Sequence, residues 1–70
     1  MIYFTKYAEQ KFDILNAHKV YIRKEEVEAT LLSPSKSGRI SKLFSAQSKN
    51  IKVIYQKEGS LKKVITFYPV

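Results

Sequence analysis

The sequence predicts an α+β domain in which a short N-terminal strand and two helices precede a three-stranded antiparallel meander. Apolar residues recur at three- and four-residue spacing up to Pro34, and a period of two takes over later in the chain. The change falls at Ser33-Pro34-Ser35-Lys36-Ser37-Gly38, a tract rich in turn formers but too short to link two domains. The 70 residues therefore form one domain, 1–70, with one small core.

Ile2 to Phe4 is β-prone, and Thr5 follows as a helix N-cap. Ala8, Phe12 and Leu15 describe an amphipathic helix of about three turns, with Asn16-Ala17-His18 as its exit. A second helix runs from about Arg23 to Leu32. Glutamates in its first turn complement the helix dipole, and Val27 and Leu31, with Leu32 as a further candidate, take the buried side. Pro34 stops it, because the residue before a proline is pushed out of helical geometry.

A strand is expected over about Arg39 to Ala46, turning at Gln47-Ser48-Lys49-Asn50. Ile51, Val53 and Tyr55 then share one face and Lys52, Ile54 and Gln56 the other. Beyond a hairpin turn at Lys57-Glu58-Gly59-Ser60, Leu61, Lys63, Ile65 and Phe67 alternate with Lys62, Val64, Thr66 and Tyr68. Both helices precede the meander and cover one of its faces, so Val53, Tyr55, Ile65 and Phe67 are the expected core-facing set. The opposite face should display Lys52, Gln56, Lys62, Thr66 and Tyr68, with either Arg39 and Ser41 or Lys42 beside them. Ile54 and Val64 lie on that face too and point to partial cover by another element or a partner.

Charge divides between the halves. Up to Ser35, Lys6, Lys11, Lys19, Arg23 and Lys24 are matched by Glu9, Asp13, Glu25, Glu26 and Glu28. From Lys36 onward Lys36, Arg39, Lys42, Lys49, Lys52, Lys57, Lys62 and Lys63 face only Glu58, so this half carries the whole net charge of +7. RNA, DNA or an acidic protein segment is the partner that such a surface attracts. The competing explanation is a lysine-rich solubilising surface.

Several chemistries are excluded. With no cysteine and His18 as the only histidine, the chain cannot assemble a thiolate or multi-imidazole metal site. Glu25, Glu26 and Glu28 read as a helix opening rather than a cation site, and no cofactor is expected. No apolar run reaches membrane-spanning length, and the first residues lack the basic-then-apolar order of a signal peptide. A reducing cytoplasm is the expected location.

Three stretches carry a resemblance: "FTKYAEQKF" at Phe4 to Phe12, "EEVEATLLSP" at Glu25 to Pro34, and "IKVIYQKEG" with "KKVITFYP" between Ile51 and Pro69. In this order they resemble a small uncharacterised-domain family affiliated with the RelE/ParE toxin superfamily, and the likeness covers nearly the whole chain. It implies a RelE-like fold, β-α-α-β-β-β, with the helices on one face of a curved antiparallel sheet. It also implies a toxin encoded beside an antitoxin, and active members are similar to metal-independent endoribonucleases that cut mRNA, often on the ribosome. Others of the superfamily poison gyrase, and many close relatives have no demonstrated activity. The chain departs from the pattern at Tyr7, where histidine is common, in the long segment from Asp13 to Tyr21, and at Arg23, where a Ser-type cap is common. Arg39 is also the sole arginine beyond the helices. These departures bear on catalysis more than on fold.

Metal-free RNA cleavage needs a base for the ribose 2′-hydroxyl, cations for the phosphate and an acid for the leaving oxygen. Arg39 and Tyr68 are the candidate catalytic pair, Arg39 as a bidentate phosphate clamp and Tyr68 for proton transfer or base stacking. Arg39, Lys42, Lys52, Lys62 and Tyr68 form the candidate nucleic-acid-binding set. Tyr7 reads as packing and His18 as an exposed or capping residue. Two functions follow: a RelE-like toxin acting on mRNA, or a catalytically inactive module that binds nucleic acid or an antitoxin-like partner.

Overall fold

A computed structural model describes residues 1–70. Its elements are β1 (Ile2–Phe4), α1 (Lys6–Ala17), α2 (Lys24–Leu32), β2 (Lys36–Ile40), β3 (Leu43–Gln47), β4 (Ile51–Glu58) and β5 (Leu61–Pro69). The α+β class holds, with one strand more than expected. The strand expected over Arg39 to Ala46 is a hairpin, closed by Ile40 opposite Leu43 and turning at Ser41-Lys42. Ser41 supplies the left-handed backbone at φ 57° without the Gly or Asn that normally signals such a turn.

The sheet order is β1-β5-β4-β3-β2. Strands β2 to β5 form an antiparallel meander, while β1 lies parallel to β5, Ile2 beside Lys62, so the sheet is mixed. Both helices pack on one face, α1 over β5 and β1 and α2 over β4 and β3. No helix is long and apolar enough to cross a membrane.

Local chemistry sets the helix ends. Thr5 caps α1 by accepting from the Ala8 N–H at 3.2 Å, and its hydroxyl donates to Val64 O at 2.9 Å, tying the cap to β5. At the other end the Val20 N–H donates to Leu15 O (2.8 Å) and the Lys19 N–H to Asn16 O (2.9 Å), the double bond of a Schellman motif. Lys19 occupies the position usually taken by glycine, with φ at 62°. Relieving this strain by Lys19→Gly is expected to stabilise the fold by about 0.5–1 kcal/mol after the extra freedom of the unfolded chain is counted. That corresponds to a rise of about 2–8 °C in melting temperature, read by circular dichroism. At the start of α2 the Glu26 carboxylate accepts from the Arg23 N–H at 3.4 Å. The Arg23 side chain has no acceptor to return the bond, so half a capping box forms.

The core consists of Ala8, Ile22, Val27, Leu31, Ala46, Ile51, Val53, Tyr55, Val64 and Phe67, with Phe12 packed 4.5 Å from Phe67 between ring centres. Leu32 lies outside it, 76% exposed, and Thr30 is the third buried residue of α2, its hydroxyl donating to Glu26 O at 2.9 Å. Val53, Tyr55 and Phe67 are buried as expected, but Val64 takes the place assigned to Ile65. The cause is a bulge: Ile54 pairs with Thr66 and Tyr55 with Val64, leaving Ile65 as an extra residue that reverses the alternation of β5. Lys62 consequently joins Val64 on the helix-facing side, while Leu61 and Lys63 turn to the open side.

Candidate polyanion-binding site

Strand β4 outruns its neighbour. Its pairing with β3 ends at Phe44 opposite Tyr55, whereas its pairing with β5 continues to Glu58 opposite Leu61. The overhang beside the Ser41-Lys42 turn leaves a notch of about 480 Å³ lined by Arg39, Lys42, Phe44, Gln56, Lys57 and Glu58.

Cations and aromatic rings converge there. Phe44 and Tyr55 stack, ring centres 5.6 Å apart and planes at 24°. The Arg39 guanidinium lies 5.2 Å and Lys57 Nζ 4.8 Å from the centre of the Phe44 ring, and Lys62 Nζ lies 5.8 Å from that of Tyr55. Arg39 Nε donates to Ser41 O at 2.9 Å, which orients the guanidinium and leaves its terminal amines for a ligand. Lys57 and Lys62 are direct cross-strand partners, a like-charge opposition that disfavours the sheet. No carboxylate offsets it, since the ion pairs are Lys24 with Glu9 at 2.7 Å and Lys63 with Glu58 at 3.0 Å. An anion from outside would relieve the crowding.

The expected binding set is divided between two faces. Arg39 and Lys62 lie on the helix-facing side and Lys42 in the turn at the notch. Lys52 and Tyr68 are register partners on the opposite face, so Arg39 and Tyr68 do not share a site. Lys62 also braces the fold, because its Nζ donates to Leu31 O at 3.3 Å, where a cation suits the C-terminus of α2. Tyr7 is exposed on α1, and His18 is the C-cap of that helix, away from the notch lining.

Sequence reasoning missed Lys57 and Phe44. Lys57 continues the Val53, Tyr55 alternation, but its place directly before Glu58-Gly59 gives it the look of a turn residue. Phe44 is hidden because a single strand over Arg39 to Ala46 leaves no turn for it to flank. The open face is more apolar than expected: Ile40, Leu43 and Ile54 join Phe44, Ser45 and Lys52 around a depression of about 160 Å³. Comparison with protein-family models, curated proteins and solved structures returns no match.

Proposed function

We propose that this chain is a RelE-like, catalytically inactive domain that binds single-stranded RNA at the notch. The observation that carries the reading is the like-charge opposition of Lys57 and Lys62, with Lys57 sharing the notch and the Phe44 ring with Arg39. Cations that track a phosphate backbone beside an aromatic platform are what sequence-tolerant binding of single strands requires. The charge asymmetry and the resemblance of the three sequence stretches support it, and a cytoplasmic location accords with it.

A second reading, the metal-independent mRNA endoribonuclease of a toxin–antitoxin pair, is favoured by one further observation. Glu58 lines the notch with Arg39, setting a carboxylate that can accept a proton beside a phosphate clamp. Tyr68, on the other face, has no part in this version, and an acidic antitoxin segment would occupy the same notch.

The test is fluorescence anisotropy with a labelled oligouridylate of about 12 nucleotides, followed by gel analysis of that RNA and of mRNA on translating ribosomes. Saturable binding that weakens with salt, with all RNA left intact, is the expected result. Cleavage lost in Glu58→Gln establishes the toxin reading instead. Failure of the wild-type chain to bind at low salt removes the binding reading, and intact mRNA on the ribosomes removes the second.

A further inference from the structure

The free edge of the sheet is β2, and all five of its residues are exposed. Its hydrogen-bonding phase follows from the turn after β3. The Ser48 N–H donates to Ile51 O, so Ser48, Ala46 and Phe44 address β4, and Gln47, Ser45 and Leu43 address β2. Their partners Lys36, Gly38 and Ile40 therefore point their main-chain groups inward. By alternation Ser37 and Arg39 present an N–H and a C=O each along the open edge.

We propose that this edge pairs with the same edge of a second copy, antiparallel about a two-fold axis at Gly38, so that both Arg39 side chains enter one polyanion site. The register is selected by the edge itself. With Gly38 on the axis, Ser37 faces the partner's Arg39 and Arg39 the partner's Ser37, so every outward N–H meets an outward C=O. Lys36 then faces the partner's Ile40, an 82% exposed side chain that its aliphatic stem covers. Centring the axis on Arg39 or Lys36 would oppose like charges directly. Neither helix lies over β2, and the axis keeps both helix layers on one side. The opposite edge, β1, is only three residues long.

This pairing rests on the proposed notch for its purpose. The two Arg39 residues become diagonal neighbours, Cα atoms about 7–8 Å apart, and the two notches join into one cationic and aromatic track. Each copy carries a net charge of +7, so the pair is disfavoured at low salt and is completed by a polyanion or by screening.

Sedimentation of the full chain in about 1 M NaCl, where the Debye length is about 3 Å, tests the pairing without nucleic acid. The expected result is a dimer whose share rises with concentration. The Ile40 variants are compared in about 0.1 M NaCl, where the Debye length is about 10 Å and an added charge is felt: Ile40→Glu places a carboxylate opposite the partner's Lys36 and should tighten the dimer about threefold or more, while Ile40→Lys should weaken it similarly. Ile14→Glu, the same charge change on an exposed part of α1, should leave it unchanged. A monomer at about 1 mM, or Ile40 variants shifting in the same direction, overturns the pairing. In a second arm, low-salt sedimentation with the oligouridylate should give two chains per RNA. A salt-stable dimer that forms only a 1:1 RNA complex overturns the shared site. If RNA fails to bind at all, the proposed function falls while the salt arm still decides the pairing.

Discussion

Phe67→Ala is expected to remove about half of the domain's folding stability. Phe67 is fully buried and packs against Phe12, ring centres 4.5 Å apart and planes tilted at 46°, so truncation removes an aromatic contact and opens a cavity between α1 and β5. Such changes cost about 3–5 kcal/mol, against a total stability of about 4–10 kcal/mol for a domain of this length. Urea denaturation followed by far-ultraviolet circular dichroism reads the loss as a fall in midpoint at unchanged slope. Tyr68→Ala, on the next residue but the opposite face, should cost much less. Equal losses would mean that the two residues do not divide between core and surface as the register assigns.

That division is readable because Phe67 lies beyond the bulge, where simple alternation from Val53 and Tyr55 still holds. Thr5, the Ala8-Phe12-Leu15 spacing and Pro34 also mark their elements, each through a signal carried within a few residues. What escapes depends on geometry that composition does not encode. The β2–β3 turn rests on Ser41 in a left-handed conformation, and nothing about a Ser-Lys pair announces it. The bulge at Ile65 is a mismatch between two strands and is invisible along either one. Its consequence reaches the site: by shifting β5 one residue, it moves Lys62 from the open face to the side of Arg39 and Lys57. Charge asymmetry thus points to the half of the chain that forms the notch, while strict alternation selects the wrong face for Lys62.

The corrected face makes a sharper prediction. Reversing charge at the notch with Arg39→Glu and Lys57→Glu should reduce affinity for the oligouridylate by about 100-fold or more, since each lost charged hydrogen bond is worth about 1.5–3 kcal/mol. The salt dependence should flatten by about 1.4 in log–log slope, for two phosphate contacts on a single strand. Reversing Lys36 and Lys52 changes net charge equally but alters the open face, and should leave most of the affinity. Phe44→Leu should weaken binding by about tenfold, through lost stacking, with the salt slope unchanged. Stability should move the other way in the notch variant, because Lys57→Glu turns the Lys57–Lys62 opposition into an attractive cross-strand pair. A protein that melts higher while binding collapses would separate the site from the scaffold. Equal weakening by the two double reversals would instead assign the attraction to net charge, and leave the like-charge pair without a functional explanation.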